Sequence, residues 1–373
     1  MNTIKDQNIE RSSKIEFITN SIQSTLNSYG YLELNLPIYE YYDLLHDTVF
    51  NFSDEGIVTF VDRHTGKTLV LRPDFTPQVC RLVSCMNTVP SPFRIYYKGS
   101  VFRSVEKDKG VKSEDYQIGW ELFNNSSIYG DIEIVLAANQ SLKTIGLNDF
   151  IFTFGDSLFF NRLKELIKEY DNETADALFD AISNRKIFEI KNIIKKINIK
   201  KELENLIVYL PTSFGNKDSI NKLKELSTFD NILKDRLTYI ENFIEKLIEL
   251  GLSSEQIIFD GAESKGLDYY TGINFEILHP KFGKILGSGG RYDTLMNKFN
   301  KNIPACGVAL NIESILSFNL KFNNEMSYDY LVIGDDNFKA AQELRQKGNS
   351  VIFINDKTNL EYYINNYKFK NIL

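Results

Sequence analysis

No stretch of this chain holds the roughly 18 consecutive apolar residues that a membrane-spanning helix requires. Cysteine is scarce. Cys80, Cys85 and Cys306 cannot all pair and have no metal-ligand spacing, so neither a disulfide framework nor a thiolate metal site is expected. Histidine is as rare, and His46, His64 and His279 form no pattern for metal or base chemistry. Excess positive charge is missing too: a formal net charge of −7 argues against a broad nucleic-acid surface, which needs clustered Lys and Arg. The opening segment, residues 1–14, is polar and has no apolar core, unlike a signal peptide. These absences describe a reduced, cytoplasmic protein that leaves membranes alone.

What is present is enough for a large core: 373 residues, 43% hydrophobic, support one main unit and a second, smaller one. Ile15, Ile18, Ile22, Leu26 and Tyr29 recur at helical spacing and stop at Gly30, which predicts an amphipathic helix with a glycine C-cap. Tyr31 to Pro37 then alternates like a strand. Further strand-like runs lie at 68–71, 93–97, 117–123 and 149–154, with a helix at 132–145. From about 158 to 250 the apolar spacing turns helical, and strands resume at 257–259, 274–278 and 284–286. The expectation is an α+β fold over 1–318, a mainly antiparallel sheet flanked by helices, interrupted by a helical insertion at about 158–250. After a polar linker, 328–373 reads as a short β-α-β tail near the lower size limit for independent folding.

Several ordered blocks carry chemistry. Asp74 and Thr76 follow an extended run, and Arg103 is followed fourteen residues later by Gln117 and four further on by Glu121. Residues 264–276 read Ser-Lys-Gly-Leu-Asp-Tyr-Tyr-Thr-Gly-Ile-Asn-Phe-Glu, two tyrosines beside a glycine-rich turn. Taken alone, Gln117 and Glu121 could sit on a solvated strand face. Adjacent strand residues point to opposite faces, so one of Tyr269 and Tyr270 would face a ligand and the other would pack. Gly289 and Gly290 read as a bulge or turn. The lysine-rich run at 191–201 is interleaved with isoleucine at helical spacing and reads as a solvated amphipathic helix rather than an RNA site.

In order and spacing these blocks resemble the histidyl-tRNA synthetases of class II over residues 9–318. Gly30 to Pro37 is similar to motif 1, a dimer interface in that family; Phe102 to Glu121 is similar to motif 2, and Ala305 to Leu310 to the start of motif 3. The resemblance implies a pocket for free histidine. Glu121 would accept from an imidazole N–H, Tyr269 or Tyr270 would donate to the second ring nitrogen, and Asp74 and Thr76 would accept from the α-ammonium. Gln117 can donate and accept, and Arg103 would meet the carboxylate.

The ATP side departs from the synthetase pattern. Val105 stands where a Glu reads adenine, Gly110-Val-Lys-Ser113 where a Gly-Arg-x-Arg loop is usual, Asp115 where an aromatic ring stacks, and Ser314 where an Arg grips the γ-phosphate. Lys265 replaces the Arg that stabilises the α-phosphate, and an ammonium lacks the planar fork of a guanidinium. Residues 328–373 are also about half the length of an anticodon-binding domain. This combination is similar to the regulatory subunits of short-form ATP phosphoribosyltransferase. That resemblance implies no catalysis of its own, no cofactor and no tRNA. It implies a catalytic-subunit partner in a hetero-octamer, L-histidine as feedback effector, and self-association through motif 1. The competing reading, a divergent truncated histidine–tRNA ligase, would call for Arg at 265 and 314.

Overall fold

The computed structural model describes residues 9–44, 56–104, 113–197, 199–215, 217–263, 270–318, 320 and 327–373. The chain divides into two compact units, Met1–Leu320 and Lys321–Leu373.

The larger unit opens with helix α1 (Ile9–Ser28), which buries Ile15, Ile18, Ile22 and Leu26 along one face. It stops as the glycine signal predicts. Gly30 takes φ +82°, and the amides of Gly30 and Tyr31 close back onto the carbonyls of Asn27 and Leu26. The next segment is less regular than its alternation suggests. Only β1 (Leu32–Glu33) pairs as a strand, because the Arg72 guanidinium takes the carbonyls of Leu36 and Pro37 at 3.0 and 3.1 Å. The small strands β2 (Tyr39–Tyr41), β3 (Val58–Val61) and β4 (Thr68–Leu71) form a separate antiparallel sheet.

Helix α2 (Thr76–Ser84) follows, then the long hairpin of β5 (Phe93–Phe102) and β6 (Glu114–Phe123), and helix α3 (Ile128–Thr144). Beyond β7 (Ile151–Asp156) comes the helical block: α4 (Ser157–Lys168), α5 (Asn172–Ser183), α6 (Ile187–Ile194), α7 (Lys201–Tyr209), α8 (Lys217–Leu226) and α9 (Asn231–Glu249). Asp156, Asp171 and Asp230 cap α4, α5 and α9 by accepting from backbone amides in the first turns. The block also donates a two-residue strand, β8 (Phe214–Gly215), to the main sheet.

The chain returns through β9 (Ile257–Asp260), β10 (Ile273–His279), β11 (Lys284–Arg291), β12 (Ala305–Asn311) and helix α10 (Ile312–Leu316). Among the described residues the main sheet runs β1-β5-β6-β12-β11-β10-β7-β9-β8. Every pairing is antiparallel except β1 with β5 and β7 with β9. Gly289 and Gly290 are neither a turn nor a bulge. They lie within β11 in continuous register with Val308 and Gly307, because a side chain at Gly289 would collide with the Gly307 carbonyl.

Helix α3 packs on β6 and β12, and one buried ion pair pins its first turn to the sheet. Arg291 Nε lies 2.9 Å from Asp131, and the two side chains are 8% and 4% exposed. Tyr239 of α9 donates to the same carboxylate at 2.9 Å, and Arg236 on the same helix pairs with Asp156 at the end of β7. The helical block is therefore tied to the sheet at two carboxylates.

The smaller unit holds more than the β-α-β piece expected. Strands β13 (Ser327–Ile333), β14 (Val351–Ile354) and β15 (Lys368–Ile372) form a parallel sheet in the order β14-β13-β15, with helices α11 (Phe338–Gln346) and α12 (Leu360–Asn366) between them. β15 is an edge strand in which Lys368 and Lys370 alternate with Phe369, and that charged alternation hides it in the sequence.

Removing one partner of a buried ion pair strands the other's charge and costs about 3–5 kcal/mol. Asp131→Ala should lower unfolding stability by that amount in urea. A loss below about 1 kcal/mol would show that the pair is not what holds α3 and α9 to the sheet.

Candidate functional site

On the face of the sheet carrying Gln117 and Glu121, a cavity of about 80 Å³ opens over β6, β12 and β11. Its floor is made of small residues, Ser288, Gly289, Gly307 and Ala309, which leave room above the strands. The walls bring together six residues the sequence pointed to: Asp74, Thr76, Arg103, Gln117, Glu121 and Tyr270. Gln117 and Glu121 are an even number of residues apart on one strand and so share a face. Arg103 follows directly after β5, and Asp74 and Thr76 form the turn into α2, where the Thr76 amide donates to Asp74 at 3.1 Å. Lys265 and Tyr269 lie outside the described residues, while Tyr270 begins the described chain leading to β10.

Glu121 is the deepest of these groups, at 1% exposure. Three hydroxyls hold its carboxyl group: Thr76 at 2.9 Å and Tyr97 at 3.0 Å donate to Oε1, and Tyr292 at 2.6 Å donates to Oε2. Burial pushes the Glu121 pKa up to about 8. The hydrogen bonds from Tyr292, Thr76 and Tyr97 pull it down, and the Asp74 charge nearby raises it. Burial, with the charges of Asp74 and Glu121, also pushes the Tyr270 phenol up, so that hydroxyl remains a neutral donor. When ionised, Glu121 has about four lone-pair positions, so three donors leave room for one more; below about pH 8 the carboxyl keeps a proton and can also donate. Thr76, expected to accept from an ammonium, spends its proton on Glu121, and its lone pairs stay available.

Tyr97 and Tyr292 were not picked out from the sequence. Tyr292 lies two residues beyond Gly290, in the run Gly289-Gly-Arg-Tyr-Asp293, so its position was available. Tyr97 was not findable by spacing, because only the strand register sets it opposite Gly119, whose missing side chain leaves space for the phenol ring. Its ring stacks on Phe75 with centroids 4.3 Å apart. No group of His, Cys, Asp and Glu among the described residues could hold a metal ion.

Residues 3–315 match the histidyl-tRNA synthetase family model. The ATP phosphoribosyltransferase regulatory subunit of Ruminiclostridium cellulolyticum is 33% identical over 315 residues, 84% of this chain and 74% of that one. That of Clostridium botulinum strain Langeland is 31% identical over 329 residues, covering 87% and 77%. A Bacillus halodurans structure, described as an ATP phosphoribosyltransferase regulatory subunit/histidyl-tRNA synthetase, superposes with TM-score 0.84 at 24% identity, covering 100% of this chain and 96% of that one. The histidyl-tRNA synthetase of Nostoc superposes with TM-score 0.76 at 20% identity, covering 98% and 89%. The chain belongs to the histidyl-tRNA synthetase-like family of ATP phosphoribosyltransferase regulatory subunits.

The synthetase-like fold makes the fate of the ATP-side positions readable. Asn311 at the end of β12 caps α10, accepting from the Ser314 amide at 2.8 Å. Glu313, one residue earlier, is ion-paired with Arg11 of α1. These contacts are internal to the protein, and Ser314 brings no cation. Val105, Gly110, Val111 and Lys112 lie outside the described residues, and Ser113 and Asp115 bring no cation or ring.

Glu121 also sets a pH dependence. Its folded pKa lies above the ordinary value of 4.5, so between about 4.5 and 8 the folded state keeps a proton that the unfolded state has lost. Stability from this group is complete below about 4.5 and is lost as pH rises through about 8, at about 1.4 kcal/mol per pH unit. Urea denaturation of the ligand-free protein across this window should show a steeper decline for the parent than for Glu121→Gln. Parallel profiles would show that Glu121 ionises normally.

Proposed function

We propose that this chain is the non-catalytic partner of a short-form ATP phosphoribosyltransferase catalytic subunit, and that its pocket reads free L-histidine. The family supplies the first half, since its curated relatives are named as regulatory subunits of that transferase. The pocket's composition supports the second. The lining offers Glu121 and the Tyr270 hydroxyl, a pair suited to the two nitrogens of an imidazole. It also offers Asp74 and the lone pairs of Thr76 to an ammonium, Arg103 to a carboxylate, and Gln117 to either. A buried polar ligand needs partners at both ends, because each unpaired group costs about 1–3 kcal/mol. Histidine finds them here.

The observation that carries the non-catalytic reading is the one-sided site. The amino-acid groups are assembled, while Ser314 and Asn311 close a helix cap where adenylation would need a phosphate-binding Arg. Losing one pre-organised transition-state donor costs on the order of 10²–10³ in rate, and several are lost here. The same features weigh against a truncated histidine–tRNA ligase. In the assembly, the catalytic subunit joins ATP and phosphoribosyl pyrophosphate to give phosphoribosyl-ATP and pyrophosphate, the opening step of histidine biosynthesis in the cytoplasm. This chain is needed for that activity and conveys inhibition by the end product, within a hetero-octamer. Its own dimerisation through the motif 1 region is supported by exposed apolar residues, Leu32 within it at 64% and Ile38 directly after it at 52%. Histidine acts by preferring one state of the assembly, a coupling of about 1–3 kcal/mol.

The test measures phosphoribosyl-ATP formation by the catalytic subunit with and without this chain, then with histidine titrated in. Rate should rise on adding the chain and fall with histidine, and a Glu121→Ala chain should no longer pass on the histidine signal. No change in rate at any subunit ratio would overturn the proposal. Histidine-dependent ATP–pyrophosphate exchange by the isolated chain should be absent, and a clear exchange signal would restore the ligase reading.

A further inference from the structure

Helices α6 and α7 enclose a cleft of about 540 Å³ that neither the histidine pocket nor the family assignment uses. Lys191 and Lys195 line it from α6 and its C-cap, and Lys201 lines it from the first turn of α7. The floor is apolar: Ile194 is 7% exposed, and Val208 and Tyr209 are half-buried. Phe188 lies on the same helical stripe as Lys191 and Lys195 and is 79% exposed.

In the helical block Lys164, Lys186, Lys217, Lys222 and Lys224 each have a carboxylate partner within 4.0 Å, whereas Lys168, Lys196, Lys200, Lys234 and Lys246 form no ion pair among the described residues. Lys191 and Lys195 have none among the described residues, and Lys201 shares Glu204, the one carboxylate in the lining. Lys191 and Lys195 from one helix and Lys201 from the other border one concavity. Their mutual repulsion opposes that arrangement, and a bound anion would relieve it. The chain as a whole carries −7, so the local excess of cation runs against its composition.

We propose that this cleft is a binding site for a nucleoside phosphate, the phosphates held by Lys191, Lys195 and Lys201 and the base laid against Tyr209 and the apolar floor. Lysine serves as a point-charge ligand for phosphate oxygens. Aromatic rings take bases on their faces without needing a particular sequence of hydrogen bonds. The volume falls within the range of small-molecule clefts, about 300–1,000 Å³. A bare phosphate would use the lysines and leave the floor idle.

Calorimetric titration of the full chain with ATP, inorganic tripolyphosphate and adenosine separates the parts. ATP should bind, more weakly as salt is raised, and the two fragments should each bind at least about tenfold less tightly. The double variant Lys191→Gln, Lys195→Gln should lose about tenfold or more in ATP affinity. Both positions are exposed, so a matching thermal melt is expected. Tyr209→Leu should weaken ATP and leave tripolyphosphate unaffected. Tripolyphosphate binding as tightly as ATP would reduce the cleft to a plain anion patch and overturn the proposal. Undiminished ATP binding by the double variant would do the same by moving ATP elsewhere. So would displacement of ATP by a more tightly held single-stranded RNA oligonucleotide, or no heat from ATP at all.

Discussion

A carboxyl group with 1% exposure has to be neutralised or surrounded by donors, and Glu121 constrains everything near it for that reason. Thr76 must reach it from the start of α2, Tyr97 from β5 and Tyr292 from the end of β11, so three separate segments converge on two oxygen atoms. The space they need comes from residues with little or no side chain. A Cβ at Gly307 would strike the Glu121 carboxylate, and one at Gly119 would strike the Tyr97 ring. Losing these small residues would disturb the pocket as surely as losing a polar one.

The same constraint reaches through the sheet. Arg291 and Tyr292 are neighbours in the chain and face opposite ways, as strand geometry requires. Tyr292 turns to Glu121 in the pocket, and Arg291 turns to Asp131 beneath α3. Tyr239 of the helical block donates to that same Asp131. Two consecutive residues thus belong to both the ligand-facing and the scaffold-facing networks. Movement of the pocket wall at Tyr292 would strain the ion pair that holds the helices. This is spatial linkage, and it supplies a physical route by which an occupied pocket could alter the helical block.

Much of this was legible in residue spacing. The helix ending at Gly30 depends on local periodicity, which a single sequence records directly, while the interval from Arg103 to Gln117 to Glu121 was legible through its resemblance to synthetase motif 2. What escaped depended on partners distant in sequence. Residues 34–37 alternate like a strand, but Arg72 claims the carbonyls of Leu36 and Pro37. Gly289 and Gly290 carry the composition of a turn, yet they run within β11, where β12 leaves no room for a side chain at Gly289 and β10 leaves none at Gly290. Tyr97 became a pocket residue only through cross-strand register with Gly119. β15 was hidden by its lysines. In each case the deciding contact joins segments that the linear pattern cannot bring together.

The one-sided site also explains why affinity and catalysis can part company on this fold. Adenylation needs groups that bind more strongly as charge develops on the α-phosphate, and a guanidinium fork serves that role far better than a point charge. Groups that contact an amino acid in its resting form, as proposed for those around Glu121, contribute equally to ground and transition states. Uniform binding of that kind yields a dissociation constant and no rate enhancement. A protein that retains such a pocket can still do work with it, provided the pocket differs between two arrangements of an assembly. Ligand affinity then becomes a preference for one arrangement, limited in size by the difference between the two affinities. On the proposed reading, an ATP side without phosphate-binding arginines takes away a competing use of the site and leaves that preference as its chemical output.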